Sequence, residues 1–474
     1  MNEQSIVAKN LWIGFGRVDI TPPLAIPYLS HFPRQTPFEG VHDPLFARAM
    51  VADNGTTRLA IVAVDALGLS RDILGPGRDF IAETRARIAA RSGIPAEQVL
   101  LAASHAHSTP QTTHIARLLD FPEAGPWLET LMDQLAEAAT LAAQRLRPVR
   151  LTGSIGQAAG IAWSRRIVGE DGKLYRLPQR PDRVRRETRD EQVPVLLVEG
   201  SKDGRVWRGV VCNFTCHPTT VQVQPLISGD YPAYACALVE RELPAEACLF
   251  LQGAAGDVNP LRHTTTFDDV QTYGQILGTE VLKQAPRLSA AGASPMSTIL
   301  RCGRRVIALP VRPLPDREPY ARLLMSAEER LRGSVEASTL QQARNELRTA
   351  REALRLIDLG TEDIPCEVQV LRLGEALIVA FPGELFCQFG LELKAVSPAP
   401  VTMIAAYANG YVGYLPSRDD YDLGGYETAL GPWTRVAPGA TERLVAVARE
   451  LIEEVWYGRE SGRQGASSSP ALLD

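Results

Sequence analysis

Two histidines spaced by one residue are the strongest chemical signal in this chain. They lie in Ser104-His105-Ala106-His107-Ser108, directly after the apolar run Leu100-Leu101-Ala102-Ala103, which is typical of a buried strand. Residues two apart on a strand point to the same side, so both imidazoles would face one pocket if the strand continued. Such a pair can bind a metal, bind a metal with one ring and contact substrate with the other, or form hydrogen bonds at a strand end.

Three further polar side chains follow apolar strands, in segments where glycine, proline or small residues interrupt regular structure. They are His217, Asp257 and Glu384. Catalytic groups of α/β proteins gather on loops at strand ends, because a rigid sheet holds those loops in place. Two histidines and one carboxylate suit a zinc ion with an open position, where the pKa of bound water falls to about 7.

The apolar patterns that position these residues predict an α/β protein with mixed β-sheets flanked by helices and a metal site at strand ends. Three hairpins are expected, formed by residues 45–52 with 59–65, 193–200 with 206–214, and 367–373 with 376–380. Helices are expected over residues 80–91, 126–146, 228–240, 269–283 and 440–455.

One large catalytic domain is expected over residues 1–457, because the residues that could do chemistry are spread along most of the chain. A helical insertion at about residues 319–358 contains a long solvent-facing helix over 327–357. That helix could cap the pocket, form a dimer contact or be a solvated arm. Residues 458–474 are rich in serine and glycine and are expected to be disordered.

Composition excludes several classes of protein. The 474 residues carry a formal net charge of -5, and positive and negative residues are mixed along the chain. The sequence therefore lacks the clustered basic residues that would predict nucleic-acid binding. The chain has no long apolar run of the kind that spans a membrane, and the N-terminus lacks the pattern of a secretory signal. The seven scattered cysteines favour reduced thiols, and a cytoplasmic location is expected. A homo-oligomer is compatible with these features.

Six short motifs occur in a fixed order along residues 13–455. They are Val18-Asp19-Ile20-Thr21-Pro22-Pro23, Ser104-His105-Ala106-His107-Ser108, Asn213-Phe214-Thr215-Cys216-His217-Pro218-Thr219, Gly253-Ala254-Ala255-Gly256-Asp257-Val258-Asn259-Pro260, Pro382-Gly383-Glu384, and Tyr411-Val412-Gly413-Tyr414 with Tyr426-Glu427. In this order they resemble the catalytic domain of the neutral/alkaline non-lysosomal ceramidase family, a group of zinc-dependent amidases.

The resemblance implies a set of site residues. The implied zinc ligands are His105, His217, Glu384 and Tyr414. It also implies that His107 faces the substrate carbonyl, that Tyr426 hydrogen-bonds the oxyanion and that Arg165 is the active-site arginine. Asp257 is a candidate general base, with a structural role as the alternative.

Asn259 departs from the family pattern. It occupies the position of a serine that the family's ceramidases carry as proposed nucleophile, and a carboxamide cannot do nucleophilic work. We therefore expect a zinc-dependent amidohydrolase in which zinc-bound hydroxide attacks a small-molecule amide or acyl substrate and Asn259 donates a hydrogen bond.

Other functions remain alternatives. The missing serine, together with the lack of a signal sequence and of the family's C-terminal β-sandwich domain, argues against ceramide as the substrate. An ester, lactone or cyclic amide of a small polar molecule is the alternative. A non-catalytic binding protein is disfavoured because every implied ligand is present.

Overall fold

The computed structural model describes residues 11–28, 36–176, 178–202, 205–222, 224–261, 266–290, 292–333 and 337–458. The tail that the sequence predicts to be disordered lies outside these residues, apart from Gly458. No helix in the described ranges is both long enough and apolar enough to cross a membrane.

The described strands divide into those before and those after residue 180. The first group, in chain order, is β1 (Trp12–Asp19), β2 (Pro27–Tyr28), β3 (Thr36–Pro37), β4 (Gly40–Val41), β5 (Phe46–Asp53), β6 (Arg58–Val64), β7 (Val99–Ala103), β8 (Arg147–Pro148), β9 (Arg150–Gln157), β10 (Ala162–Ser164), β11 (Ile167–Gly169) and β12 (Leu174–Tyr175). The second group is β13 (Val184–Arg186), β14 (Gln192–Lys202), β15 (Arg205–Phe214), β16 (Leu226–Ile227), β17 (Ala245–Gln252), β18 (Val258–Pro260), β19 (Leu300–Leu309), β20 (Ile364–Leu373), β21 (Ala376–Ala380), β22 (Glu384–Leu385), β23 (Val401–Ala405) and β24 (Tyr414–Leu415).

The described helices lie between and after these strands. They are α1 (Phe80–Ser92), α2 (Ala124–Gln144), α3 (Asp230–Glu242), α4 (Asp268–Ser289), α5 (Arg317–Gly333), α6 (Ala337–Asp358), α7 (Cys387–Val396), α8 (Arg418–Leu423) and α9 (Ala440–Tyr457). Short 3₁₀ helices cover Arg71–Leu74, Ala96–Gln98, Leu118–Asp120 and Tyr426–Thr428.

Three large sheets form the framework. Their strand orders are β7-β6-β5-β1-β8, β17-β15-β14-β9 and β19-β20-β21-β23, and smaller sheets complete the structure. The three predicted hairpins are confirmed as β5–β6, β14–β15 and β20–β21. Each large sheet also has one parallel pair, namely β6–β7, β15–β17 and β21–β23. Mixed sheets flanked by helices are therefore confirmed as the fold class.

The inner faces of the three sheets bury a common apolar cluster. Ile61 of β6, Leu249 of β17 and Met403 of β23 all belong to it and are at most 1% exposed. Helices cover the outer faces: α2 packs on the first sheet, α3 and α4 on the second, and α9 on the third. This continuous core holds the three sheets in fixed positions relative to one another.

Close contact between β1 and α2 depends on glycine. A Cβ atom at Gly16 would lie 2.1 Å from the carbonyl oxygen of Ala138, and one at Gly14 would lie 2.2 Å from that of Ala142. Both distances are far below van der Waals contact, so a larger residue would push the helix off the sheet.

One sequence prediction is wrong in detail. The predicted helix over 327–357 is in fact two helices, α5 and α6, because the first begins at Arg317 and ends at the helix-breaking Gly333. The ion pairs Arg317–Asp358 and Arg330–Glu346 join them as an antiparallel hairpin.

The predicted strand before the two histidines is confirmed, but it does not extend through them. Strand β7 ends at Ala103, and His105 has a φ of 65°, so the strand does not continue through both histidines. The two imidazoles meet through a turn in the backbone rather than through the two-residue period of a strand.

Candidate metal centre and catalytic site

The three parallel strand pairs end at one place in the molecule. Ala406, just beyond β23, donates its N–H to the carbonyl of Gln252 at the end of β17, at 2.9 Å. Ala103, at the end of β7, donates its N–H to the carbonyl of Tyr407 at 3.1 Å. These backbone hydrogen bonds tie the carboxyl ends of the three sheets together, and the residues that follow those ends form the site.

Three imidazoles meet at this junction. Nitrogen atoms of His105, His107 and His217, one from each ring, all lie within 4.8 Å of one another. The Nε2 atoms of His105 and His107 are 3.1 Å apart. His105 and His217 are buried, whereas His107 is half-buried. The three histidines form a cluster, found among the described residues, that could hold a metal ion.

The two buried histidines are oriented by backbone carbonyls. Nδ1 of His105 lies 2.6 Å from the carbonyl oxygen of Leu67, and Nδ1 of His217 lies 2.5 Å from that of Ala255. A carbonyl can only accept a hydrogen bond, so each Nδ1 carries the proton and each Nε2 is unprotonated in the neutral ring. This is the arrangement by which metal-binding histidines fix their tautomer.

Burial keeps both of these histidines neutral. It lowers the pKa of His105 to about 3, and the positive charge of Arg165 assists burial in lowering that of His217 to about 3 as well. Metal ligation requires the neutral ring, so at neutral pH no proton competes for either Nε2.

Glu384 joins the histidines through one of its two carboxylate oxygens. Its Oε2 lies 3.1 Å from Nε2 of His217 and 3.7 Å from Nε2 of His105. Its Oε1 accepts a hydrogen bond from the hydroxyl of Tyr411. Three of the four ligands that the resemblance implies are thus in direct contact.

Tyr414, the fourth implied ligand, lies beside Glu384 because strands β22 and β24 pair these two residues. Its side chain is buried, and burial raises the pKa of its hydroxyl well above the usual value. The described partner of that hydroxyl is Arg165, whose Nη2 donates to it at 2.9 Å.

Arg165 is held in the site by several groups. Besides Tyr414, its Nη2 donates to the carbonyl of Gly256 at 2.5 Å, and its Nε lies 3.0 Å from a carboxylate oxygen of Glu427. Glu427 also pairs with Arg166 at 2.8 Å, and both partners of that pair are buried. A buried ionic network therefore fixes the guanidinium that the sequence places at the site.

Asp257 uses both carboxylate oxygens within the fold. Oδ1 accepts from the N–H of Cys387 at 2.7 Å, and Oδ2 accepts from the hydroxyl of Thr188 at 3.1 Å. Burial raises its pKa to about 6. These contacts support the structural alternative for Asp257, because the Cys387 bond fixes the start of α7, just after Glu384.

Asn259 lies on β18 next to the arginine. Its Oδ1 accepts from Nη1 of Arg165 at 3.4 Å. The carboxamide therefore contacts a site residue from the position that a serine occupies in the family pattern.

Tyr426 marks the open side of the site. It is 46% exposed, its ring stacks on Trp433 at 5.2 Å between centroids, and it meets Tyr414 edge to face at 5.8 Å. A groove of about 640 Å³ at the surface is lined by other residues, such as Thr21, Trp127 and Gln134, and not by the three histidines.

Three residues at the site were missed by sequence analysis. They are Tyr407, Tyr411 and Glu427. Tyr407 follows an apolar strand just as the histidines do, and this signal could have found it. Tyr411 and Glu427 lie within recognised motifs, but only the fold shows that they touch Glu384 and Arg165.

Comparisons with known proteins identify similar sequences. The family described as Neutral/alkaline non-lysosomal ceramidase, N-terminal, matches residues 11–273, more than half of the chain. The neutral ceramidase of Pseudomonas aeruginosa is 24% identical over 482 aligned residues, covering 90% of this chain and 70% of that protein. Neutral ceramidase A of Dictyostelium discoideum is 32% identical over 96 residues, covering 17% of this chain and 13% of that protein.

Solved structures show the same fold. The crystal structure of neutral ceramidase from Pseudomonas aeruginosa matches with a TM-score of 0.68 at 19% identity, covering 97% of this chain and 76% of that one. A structure described as ceramidase complexed with C2 matches with a TM-score of 0.67 at 17% identity, covering 97% and 77% of the two chains.

Proposed function

This chain belongs to the neutral/alkaline non-lysosomal ceramidase family, and from that premise we propose that it is a zinc-dependent hydrolase that cleaves an N-acyl amide. The observation that carries the proposal is the meeting of His105, His217 and Glu384 at one point, with Nε2 of each histidine left unprotonated by the hydrogen bond at its Nδ1. The family indicates a hydrolase. That the enzyme uses zinc and that it cleaves an amide bond are our proposals.

The donor set fits zinc. Two imidazole nitrogens and a carboxylate oxygen are ligands of catalytic zinc sites, and we assign these to His105, His217 and Glu384, with Tyr414 as the fourth ligand. Zinc bound there would polarise the acyl carbonyl and make water a nucleophile at neutral pH. His107 remains as a half-buried imidazole that can face the substrate carbonyl.

Charge that develops on the acyl oxygen needs hydrogen-bond donors that are already in position. Tyr426, at the rim, and Arg165, beside Tyr414, are the proposed donors. The ion pair of Arg165 with Glu427 keeps the guanidinium in place before substrate arrives, so little reorganisation is needed during the reaction.

We propose that water attacks the acyl carbon directly, without an acyl-enzyme. Asn259 stands where the family pattern has a serine, and its amide cannot form an ester intermediate. Its contact with Arg165 suits a role in orienting substrate or arginine.

The substrate class follows from the relatives. The two relatives described above are named neutral ceramidases, which favours a lipid amide as the substrate. Asn259 favours a second candidate, an ester, lactone or cyclic amide of a small polar molecule.

A substrate panel on the purified protein tests the proposal. N-acyl amides of long and short chain length, esters and lactones are each incubated with protein of measured zinc content. We expect hydrolysis of an amide that depends on zinc. Hydrolysis of only esters or lactones would favour the second candidate, and binding without turnover of any of them would contradict both.

A further inference from the structure

Tyr407 is a buried tyrosine that lies beside the proposed ligands without being one of them. Tyr407 is 0% exposed, and its ring stacks on that of His105 with centroids 4.0 Å apart. The ring also meets that of His217 edge to face at 6.2 Å. Tyr407 therefore forms a wall against which both histidines pack.

The hydroxyl of Tyr407 has no hydrogen-bond partner among the described residues. A buried hydroxyl usually has a partner, because an unpaired one has lost its hydration without compensation. Glu384 and Tyr414 are its main electrostatic neighbours, followed by Arg165. The ring of Tyr407 belongs to a buried apolar cluster, and its hydroxyl is buried near the ionisable groups of the centre.

The backbone at Tyr407 is also unusual. Its φ is 57°, in the left-handed region that a bulky aromatic residue rarely adopts. Its carbonyl accepts from the N–H of Ala103 at 3.1 Å, and its N–H donates to the carbonyl of Gly383 at 3.3 Å. These contacts hold the residue in a strained conformation, and such strain persists mainly at functional positions.

We propose that the Tyr407 hydroxyl donates a hydrogen bond to the acyl oxygen of the substrate, and that Tyr407 is thus a second phenol donor besides Tyr426. This inference rests on the proposed function, since it requires an acyl group at the metal centre. Tyr426 would approach that oxygen from the rim and Tyr407 from the buried wall.

The variant Tyr407→Phe tests the inference, because it keeps the ring on His105 and removes only the hydroxyl. We expect kcat to fall by about tenfold or more with KM little changed, since the lost donor acts mainly in the transition state. Zinc content should stay the same. The melting temperature should stay the same or rise, because the variant removes an unpaired buried polar group.

The matched control is Tyr421→Phe. The hydroxyl of Tyr421 donates to the carbonyl of Val436 at 2.7 Å, so this variant loses a satisfied hydrogen bond. We expect it to melt at a lower temperature and to keep its kcat. A Tyr407→Phe enzyme that behaves like this control would overturn the inference.

A binding measurement separates this inference from the proposed function. An alkyl hydroxamic acid, which presents an acyl oxygen to zinc, is titrated calorimetrically into zinc-loaded wild-type protein and into the Tyr407→Phe variant. We expect about tenfold weaker binding to the variant. Equal affinities, or no binding to either protein, would overturn the role of Tyr407. If the wild type hydrolyses no acyl substrate, the proposed function fails, and the affinity comparison still decides the role of Tyr407.

Discussion

Glu384 uses its two oxygens for different tasks. Oε2 faces the histidines, 3.1 Å from Nε2 of His217, while Oε1 is held by the hydroxyl of Tyr411. A carboxylate held in this way cannot rotate to expose its other oxygen without breaking a buried hydrogen bond. Tyr411 is therefore a positioning residue that acts through Glu384.

The variant Tyr411→Phe should bind zinc about 10- to 100-fold more weakly, as happens when a group that orients a metal ligand is removed. Competition with a chromophoric chelator measures the affinity. Tyr421→Phe is the control, since its hydroxyl donates to the carbonyl of Val436 and not to a proposed zinc ligand. Identical zinc affinities in the two variants would show that Tyr411 does not position Glu384.

Asn259 and Tyr426 should differ sharply in their effect on rate. Tyr426→Phe removes a proposed oxyanion donor and should lower kcat by on the order of 10²-fold. Asn259→Ala should cost less, and Asn259→Ser should not be needed for turnover, because water attacks directly. Steady-state kinetics on the three variants measures this. Activity that appears only with serine, or an acyl group trapped on the protein, would exclude the mechanism.

The segments between strand ends and helices set the positions of these residues. Gly256 shows how tight this packing is, since a Cβ atom there would lie 2.3 Å from the carbonyl oxygen of Glu384. The neighbouring atoms are backbone and cannot rotate away. Glycine at this position lets the segment after β17 approach the Pro-Gly-Glu segment after β21.

Gly256→Ala should therefore displace Glu384. We expect a loss of about 1–3 kcal/mol in the free energy of unfolding, as for other overpacking changes, together with weaker zinc binding. Chemical denaturation and zinc competition measure the two effects. Gly125→Ala is the matched control, because a Cβ there meets nothing within 4 Å. If the two substitutions had equal effects, the close approach at Gly256 would not matter to the site.

Sequence patterns predicted most elements but not their connection at the site. An alternating apolar pattern predicts the hairpin β20–β21, and the Pro-Gly pair after it predicts that Glu384 lies just beyond the end of a strand. The left-handed backbone of His105 does not follow, because no local pattern favours φ of 65° for histidine. It is imposed by tertiary contacts such as the bond from the His105 N–H to the carbonyl of Ala66 at 2.9 Å.

At the scale of the whole molecule, the site exists only when three sheets come together. His105 follows the first sheet, His217 the second and Glu384 the third, so no single sheet holds a complete set. Apolar periodicity does not predict this convergence, because the three residues are far apart in the sequence. The ordered motifs predict it, because members of one family share the three-dimensional arrangement of their site residues. A cytoplasmic location stays a prediction, which fractionation of cells expressing the protein would test.

The pH dependence of the enzyme should separate metal binding from catalysis. A lowered pKa favours the neutral ring, so protons displace zinc from His105 and His217 only far below neutral pH, towards their pKa of about 3. The attacking water titrates near pH 7 in zinc enzymes, so activity should fall from about pH 8 to about pH 5 while zinc content stays constant. Elemental analysis and rate measurements across this range check it. Zinc loss that parallels the loss of activity would contradict it.

Zinc dependence of turnover tests the central claim most directly. The purified protein is stripped with a chelator, and hydrolysis of an N-acyl amide is followed as zinc is added back in steps. We predict that the stripped protein is inactive and that activity returns linearly until one zinc per chain is bound. Full turnover by protein from which elemental analysis finds no zinc would contradict the claim.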